Sequence, residues 1–256
     1  FFAAVRGLFA SLPEARARGP TRAHFSFNDA KGRCRACQGD GHRQVDLQLM
    51  ADLTFVCEQC QGRRYQDEVL AVTYNGQSIA DVLALTFDEA AVLFHGVPEI
   101  EAAVTAVCRA GLGYVVLGQP SPTLSGGESQ RLKLATALVR PSSGQVLYLM
   151  DEPTTGLHAR DVAVLSRVLR QIVDTGATVM VIEHNLDVIA AADHIIDLGP
   201  GGGPNGGRLL AEGPPEAIMT CPESITGRYL RTHLEREAAR THRTSAHSPA
   251  RRPEGV

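Results

Sequence analysis

The chain has 256 residues, of which 44% are hydrophobic and 21% are charged, and its formal net charge is −3. This length allows one large domain with a smaller module, and the composition is typical of a soluble globular protein. The sequence has no run of 18 apolar residues and no secretory signal, so we expect a cytoplasmic protein without a membrane span. Because the chain starts at Phe1 and not at methionine, we expect a fragment of a longer product.

The charge is distributed unevenly along the chain. Residues 1–64 carry a net charge of +4, whereas the remaining residues carry −7. The basic residues of the first part include Arg16, Arg18, Arg22, Lys31, Arg33, Arg35, Arg43, Arg63 and Arg64. Such a bias is compatible with binding to the phosphates of a nucleic acid. Many solvated surfaces share it, so the charge alone does not identify a DNA-binding region.

Residues 1–33 are predicted to form a short lead-in. Apolar residues recur there at helical spacing, which predicts an amphipathic helix that ends or restarts at Pro13. Residues 16–20 are predicted to be a basic loop. Residues 24–27 alternate polar and aromatic side chains, which predicts a short strand.

Two CxxC motifs follow, separated by nineteen residues, and they contain Cys34, Cys37, Cys57 and Cys60. This spacing matches a tetrahedral four-cysteine zinc site, because each tight turn places two thiolates on one side. The alternative is two disulfides or free thiols, but disulfides are rare in the cytosol. We therefore predict a structural zinc module over residues 34–64, in which residues 44–49 and 54–56 pair as a hairpin. Cys108 and Cys221 are predicted to be ordinary thiols.

Residues 65–123 are predicted to form a mainly helical segment. A strand over residues 70–74 precedes helices over 79–85, 87–94 and 100–110. The segment ends in a stiff, proline-containing linker at residues 119–122.

A helix start follows, where residues 124–131 read LSGGESQR. Ser125 is a good N-cap, and Glu128, three residues later, completes a capping box. Gly126 and Gly127 leave the helix N-terminus bare, so its N–H groups and positive dipole can bind a phosphate. A capping box alone indicates only a well-started helix, so the interpretation depends on the segments that follow.

Residues 147–153 read LYLMDEP, which predicts a buried strand that ends at two carboxylates. In a parallel α/β sheet, ligands bind at the carboxyl ends of the strands. At such an edge Asp151 can hold Mg²⁺ on a nucleotide, and Glu152 can take a proton from an attacking water. The alternative is a strand with an acidic turn. Residues 178–182 predict a second strand, buried on both faces, that brings His184 to the same edge.

The rest of the chain continues the α/β pattern. A helix is predicted between the two strands, and a hairpin is predicted from residues 194–198 and 208–211. We take residues 124–230 as one α/β segment, the part that the resemblance described below assigns to an ATPase. Residues 231–256 are polar and are predicted to be a disordered tail.

These motifs resemble known sequences. LSGGE at 124–128, LYLMDEP at 147–153 and VIEHN at 181–185 are similar to the signature, Walker B and H-loop of ABC-type ATPases. Further segments are FSFN at 25–28, GRCRACQGDG at 32–41, CEQCQGRRY at 57–65, LGQPSPTLSGGESQRLKLA at 117–135 and DEPTTGLH at 151–158. Together they resemble the C-terminal half of the UvrA family, the damage-recognition subunits of the bacterial excision-repair endonuclease. The resemblance covers residues 1 to about 230.

The resemblance implies an α/β fold. It consists of part of an ABC-type ATPase nucleotide-binding domain with an inserted four-cysteine zinc module and a helical signature region. It also implies residue roles: Asp151 would hold Mg²⁺, Glu152 would polarise the hydrolytic water, and His184 would contact the γ-phosphate. In the family, signature residues close over ATP that another nucleotide-binding half holds, and these would be Ser125, Gly126, Gly127 and Glu128.

The resemblance further implies double-stranded DNA, a UvrB-like helicase subunit and a second copy of the protein as partners, in nucleotide excision repair and the SOS response. One departure matters for activity. The sequence contains no GxxxxGK[S/T] phosphate loop, so we expect the isolated chain to be inactive as an ATPase.

Several alternatives remain. A transporter ATPase shares the signature and Walker B but does not normally carry four cysteines before the signature. A DnaJ-like zinc module would need four CxxCxGxG repeats, and this chain has two partial ones. A UvrA-like paralogue in drug self-resistance stays open, as does an ATPase-inactive fragment that retains only zinc-supported DNA binding.

Overall fold

The computed structural model describes residues 1–45, 53–139, 146–201, 203 and 206–245. Within it the chain forms two compact units, Phe1–Ser143 and Gly144–Val256. We expected one boundary between residues 123 and 124, but the structure keeps the signature helix in the first unit. Residues 46–49 of the predicted hairpin lie outside the described residues.

The first unit is mainly helical. Its helices are α1 (Phe2–Ser11), α2 (Pro13–Arg18), α3 (Asp67–Leu70), α4 (Ile79–Ala84), α5 (Phe87–Leu93), α6 (Pro98–Arg109) and α7 (Gly126–Val139). Its strands are β1 (His42–Val45), β2 (Leu53–Val56), β3 (Thr73–Tyr74) and β4 (Gln77–Ser78). Strands β1 and β2 pair antiparallel, and so do β3 and β4. Helix α7 packs against α6, which explains why the signature helix belongs to this unit.

The N-terminal lead-in confirms one prediction and contradicts two. Helix α1 ends before Pro13, which starts α2, because proline is tolerated in the first turn of a helix. The basic loop predicted for residues 16–20 is wrong, since α2 continues to Arg18 and closes at Gly19. The strand predicted for residues 24–27 is also wrong, because these residues form turns.

Core packing explains the missing strand. Phe25 is fully buried, and its ring centroid lies 5.5 Å from that of Phe9. The carbonyl oxygen of Phe25 accepts a hydrogen bond from the hydroxyl of Tyr65 at 3.2 Å. This backbone group is therefore satisfied by a side chain instead of by a neighbouring strand.

The segment predicted as strand 70–74 is shorter than expected. Helix α3 ends at Leu70, and β3 starts only at Thr73. The three helices predicted after it are confirmed within one or two residues at each end. Capping boxes at Ser78 and Thr86 start α4 and α5.

The second unit follows the predicted α/β order. It contains β5 (Leu147–Asp151), α8 (Ala159–Asp174), β6 (Thr178–Ile182), α9 (Leu186–Ala190), β7 (Ile195–Gly199), β8 (Arg208–Gly213), α10 (Pro215–Thr220) and α11 (Ile225–Ser245). Strands β5 and β6 pair in parallel, and β7 and β8 form an antiparallel hairpin. The buried face of α8 carries Val162, Leu165, Val168, Leu169 and Ile172.

The predictions that β5 is a buried strand and that β6 is buried on both faces are wrong for this chain. Alternate residues are exposed, among them Leu149 at 69% and Ile182 at 59%. The two strands form a sheet on which α8 covers one face, as its contacts with β6 indicate. A continuous apolar run makes both faces of a strand suited to burial, but a face is buried only where another layer of structure covers it.

The C-terminal segment differs most from its prediction. Residues 231–245, expected to be disordered, continue helix α11, and residues 246–256 lie outside the described part. Alanine, glutamate and arginine dominate residues 235–240, and all three favour helices. The start of α11 is anchored because Ser224 and Thr226 donate hydrogen bonds at 2.5 and 2.8 Å to the buried carboxylate of Asp197. None of the described helices is both long enough and apolar enough to cross a membrane.

Candidate metal centre and phosphate-binding edge

Each CxxC motif forms a tight turn that ends in a left-handed Gln-Gly pair. Gln38 and Gly39 have φ angles of 55° and 98°, and Gln61 and Gly62 have 49° and 82°. The backbone at Gly39 lies very close to the backbone of Phe27, since a Cβ added to Gly39 would overlap the carbonyl oxygen of Phe27. The sequence therefore needs glycine at this point of the first knuckle.

Backbone hydrogen bonds join the two knuckles. The amide of Cys34 donates to the carbonyl of Arg64 at 2.8 Å, and the amide of Cys57 donates to that of Gly41 at 2.9 Å. Between the knuckles, the β1–β2 hairpin pairs His42 with Val56. The two halves of the predicted zinc module are thus held together by the main chain.

The four thiols converge as predicted. The sulfur atoms of Cys34 and Cys57 lie 4.0 Å apart, those of Cys37 and Cys60 lie 3.6 Å apart, and all four lie within 4.8 Å of one another. A zinc ion with four sulfur ligands at about 2.3 Å places them about 3.8 Å apart by tetrahedral geometry. All four residues are at most 5% exposed. The donor set therefore fits a closed, structural zinc site.

The pKa values of the Cys57 and Cys60 thiols are shifted in opposite directions. The backbone N–H of Cys60 lowers the pKa of the Cys57 thiol to about 7, whereas burial raises the pKa of the Cys60 thiol to about 12. The amide of Gly41 donates to the sulfur of Cys37 at 3.2 Å. Zinc binds thiolates, so a bound cation would favour the charged form that burial opposes.

The signature segment forms the predicted capping box. The amide of Glu128 donates to the Ser125 hydroxyl at 3.2 Å, and the amide of Ser125 donates to the Glu128 carboxylate at 2.8 Å. Open space surrounds the Cα of Gly126, where an added Cβ would meet no atom within 4 Å. The first turn of α7 therefore offers accessible backbone N–H groups and the positive end of a 14-residue helix.

The second unit places two acidic segments at one sheet edge. Asp151 pairs in register with Ile182, and the amide of Glu152 donates to the carbonyl of Ile182 at 2.9 Å. The parallel pairing thus brings Glu152 next to the residues that follow β6. His184 Nε2 lies 3.6 Å from Glu152 Oε1, and both side chains are more than half exposed. Glu152 itself has a positive φ of 42°, an uncommon conformation for a residue with a side chain.

Glu183 organises this edge, a role that the sequence did not indicate. Its carboxylate accepts hydrogen bonds from the amides of Thr154 at 2.8 Å, His184 at 2.9 Å and Asn185 at 3.0 Å. Burial raises the pKa of Glu183, but these donors outweigh it and leave the pKa below its ordinary value. One carboxylate therefore ties the loop after β5 to the loop after β6. A glutamate directly after an apolar strand was the only sequence signal for it.

The loop after β5 is fixed a second time. The hydroxyl of Thr155 donates to Glu152 Oε2 at 3.1 Å. The exposed carboxylate of Asp151 ends β5, in a position suited to an oxygen-liganded cation that keeps several waters. The arrangement can present one carboxylate to a metal ion, another to a water molecule, and an imidazole beside them.

The structure thus brings together the four predicted zinc ligands, and it brings Glu152 to His184. The predicted signature residues Ser125, Gly126, Gly127 and Glu128 form one helix start in the first unit. The residues predicted for Mg²⁺ and water, Asp151 and Glu152, lie in the second unit.

Similar proteins are found among curated sequences and solved structures, although no family model matches the chain. UvrABC system protein A of Streptococcus pyogenes serotype M1 is 52% identical over 231 residues, which cover 90% of this chain and 24% of the relative. The protein of that name from Bacillus subtilis is 50% identical over 236 residues, or 92% of this chain and 25% of the relative. The crystal structure of UvrA2 from Deinococcus radiodurans matches with a TM-score of 0.79 and 48% identity, covering 90% of this chain and 28% of that one. The chain spans about a quarter of the length of these relatives.

Proposed function

The chain belongs to the UvrA family, and on that premise we propose that it is the part of a cytoplasmic DNA-repair ATPase that supplies a zinc module, a signature helix and a Walker B edge. The observation that supports this proposal most strongly is that one chain contains two different candidate sites. Four buried thiols converge on zinc geometry, and a parallel strand pair ends at exposed carboxylates and an imidazole. In the proposed protein, damage recognition in nucleotide excision repair is coupled to ATP hydrolysis and to loading of a UvrB-like subunit.

The geometry of the carboxylate edge supports the roles proposed for its residues. Asp151 is proposed to hold Mg²⁺, which neutralises phosphate charge, and Glu152 to orient and deprotonate the hydrolytic water. His184, 3.6 Å from Glu152, is proposed to donate a hydrogen bond to the γ-phosphate. Glu183 would fix the loops that carry these groups, since it accepts three backbone hydrogen bonds.

The signature helix would act on nucleotide bound elsewhere. Its bare N-terminus at Gly126 and Gly127 can donate backbone N–H groups to a phosphate. Because this chain has no GxxxxGK[S/T] phosphate loop, the nucleotide would be held by a phosphate loop in another part of the protein or in a second copy.

Double-stranded DNA is the proposed macromolecular ligand of the zinc module. Arg35, Arg43 and Arg63 are exposed on this module, and Lys31 is exposed just before it. These cations can neutralise phosphates without reading the base sequence, which suits a protein that must bind lesions in any sequence context. The zinc ion would hold the chain that carries them in one shape. A second copy of the protein is proposed as a further partner.

A graft tests the repair assignment. The matching segment of the B. subtilis relative is replaced by this chain, and binding to lesion-bearing and undamaged duplexes is compared at one salt concentration. We expect tighter binding to the lesion-bearing duplex. Equal affinity would contradict a role in damage recognition and would favour the alternative of a UvrA-like paralogue with another task.

Salt dependence tests the DNA-binding surface separately. The slope of the logarithm of the DNA-binding constant against the logarithm of the salt concentration reports how many phosphates the protein neutralises. Replacing Arg35, Arg43 and Arg63 by alanine should reduce the magnitude of this slope by about one for each phosphate that is no longer neutralised. Arg167→Ala, which removes an exposed arginine from α8, is the matched control. An unchanged slope in the triple variant would place the DNA on another surface.

A further inference from the structure

The segment between α6 and the signature is held firmly against the rest of the first unit. The amide of Asp88 donates to the carbonyl of Gly113 at 2.9 Å, and the amide of Phe87 donates to that of Val115 at 3.0 Å. Val116 forms a further bridge with Thr86. An added Cβ at Gly113 would overlap the carboxylate of Asp88. Backbone bonds on both sides of residue 114 therefore make this segment a fixed support.

Tyr114 stands on that support and reaches the signature helix. Its neighbour Val115 is 5% exposed, whereas Tyr114 itself is 58% exposed. Despite this exposure, its hydroxyl donates a hydrogen bond of 2.6 Å to Glu128 Oε1. A charged acceptor makes such a bond shorter and stronger than one between neutral groups.

Glu128 connects Tyr114 to the start of helix α7. Its second oxygen, Oε2, accepts from the amide of Ser125 at 2.8 Å. The Tyr114 hydroxyl, followed by the Ser125 amide, holds the pKa of Glu128 below its ordinary value. The carboxylate of Glu128 is thus bound by Tyr114 and Ser125, whereas the amides that we assign to phosphate are those of Gly126 and Gly127.

We infer that Tyr114 is a positioning residue that fixes the direction in which the N-terminus of α7 faces the nucleotide phosphate. A capping box alone starts a helix but does not orient it relative to its surroundings. The buried residues of α7 are Arg131, Leu134 and Ala135, which begin more than one turn into the helix. Tyr114 supplies a side-chain contact before the first of these residues. This inference rests on the proposed nucleotide role of the signature.

The contact can be tested in the 256-residue chain itself. In Tyr114→Phe, the pKa of Glu128, measured by carboxyl NMR, should rise towards its ordinary value, because the largest cause of its lowering is removed. Hydrogen exchange at the Ser125 amide should accelerate about 3–10-fold, as expected when one hydrogen bond is removed. Tyr74→Phe is the matched control, because it removes a hydroxyl while the ring can keep its stacking on Phe94. An unchanged Glu128 pKa in Tyr114→Phe would overturn the inference.

Catalysis provides the second readout, in the B. subtilis graft described above. Phosphate binding by a helix N-terminus acts on bound substrate and transition state alike, so its removal raises KM and spares kcat. We expect Tyr114→Phe to raise the KM for ATP about 3–10-fold with kcat changed less than about two-fold. A merely structural role would lower kcat by reducing the amount of active protein and would leave KM unchanged.

The two proposals fail in different ways. If the unsubstituted graft does not hydrolyse ATP, the proposed function is wrong and the role of Tyr114 in nucleotide binding is wrong with it. If the graft is active and Tyr114→Phe leaves KM unchanged, only the role of Tyr114 is wrong.

Discussion

The zinc module and the carboxylate edge differ in how complete they are within this chain. In the zinc module, four thiols from two knuckles enclose one point and are at most 5% exposed. At the carboxylate edge, Glu152 and His184 lie close together but remain more than half exposed, and the apolar face of β5 and β6 beside them is exposed as well.

This difference separates two kinds of site. A structural metal site is finished when its ligands have closed around the ion. A hydrolytic edge must stay open to substrate and water, and its chemistry depends on groups that hold the nucleotide against it. The zinc site proposed for the four cysteines should therefore be testable in this chain alone, whereas the hydrolysis proposed for the carboxylate edge also needs a phosphate loop, which this sequence does not contain.

The largest expected effect is on metal content. Cys57→Ser should reduce bound zinc from one equivalent to near zero, because structural zinc contributes about 10–16 kcal/mol and requires its full ligand set. Metal analysis of the purified chain, with thiol titration, measures this. Cys108→Ser, which changes a thiol on α6 outside the cluster, should retain the full equivalent. Full zinc in Cys57→Ser would show that the predicted ligand set is wrong.

The next effect concerns hydrolysis in the graft. Glu152→Gln should lower kcat about 10²–10⁴-fold, the usual contribution of a general base, while ATP binding persists. Steady-state turnover and nucleotide binding are measured on one preparation. Glu223→Gln, at an exposed carboxylate of the same unit, should leave turnover unchanged. Wild-type turnover in Glu152→Gln would remove Glu152 from the reaction.

A glycine substitution probes how rigid the first knuckle is. Gly39→Ala should destabilise the zinc-bound chain by about 3 kcal/mol or more, since strain at positive φ is joined by a backbone overlap with Phe27. Gly176→Ala shares a positive φ but meets no atom within 4 Å, so it should cost only about 1 kcal/mol. Denaturant unfolding gives both values. Equal costs would mean that the overlap is relieved by a small shift.

The smallest effect is a pH dependence at the carboxylate edge. Because the pKa of Glu183 is lowered in the folded state, its stabilisation is complete above its unfolded pKa of about 4.5. This stabilisation is lost as the pH falls through the lower folded value. Glu183→Gln should therefore flatten the acid side of the stability profile by less than about 1 kcal/mol after solvent screening. Urea unfolding at a series of pH values measures the free energy of unfolding of the unsubstituted chain and of Glu183→Gln. An equal loss of this free energy at acidic pH in both proteins would contradict this role.

Local patterns predicted the helix start, the two cysteine knuckles and the parallel strand pair, all of which the structure contains. The capping box at Ser125 and Glu128 depends on residues three positions apart, and each CxxC knuckle depends on a local turn. The convergence of the two knuckles additionally needs a contact between distant residues, such as the bond from the Cys34 amide to the Arg64 carbonyl. The two apolar strands ending in acidic residues similarly predicted a parallel pair with one active edge, and the register confirms the parallel pairing.

The misses arose from interactions that sequence spacing does not encode. Phe25 alternates with its neighbours as in a strand, but burial against Phe9 and the bond from Tyr65 favour turns. The polar composition after residue 231 led to a prediction of disorder, although the residues of this segment favour a helix. The start of α11 is anchored by Asp197, which lies on β7 and is distant in sequence. The role of Glu183 depends on which loops meet at the sheet edge, which only the pairing of β5 with β6 determines.

We propose that this chain binds zinc through its four clustered cysteines without further segments, and that its carboxylate edge supports ATP hydrolysis only when the rest of a UvrA-family protein is present. Steady-state ATP hydrolysis tests it most directly, measured for the isolated zinc-bound chain and for the graft at equal concentration. We expect no turnover by the isolated chain and turnover by the graft. Hydrolysis by the isolated chain at the rate of the graft would contradict it, because the edge would then need no phosphate loop from elsewhere.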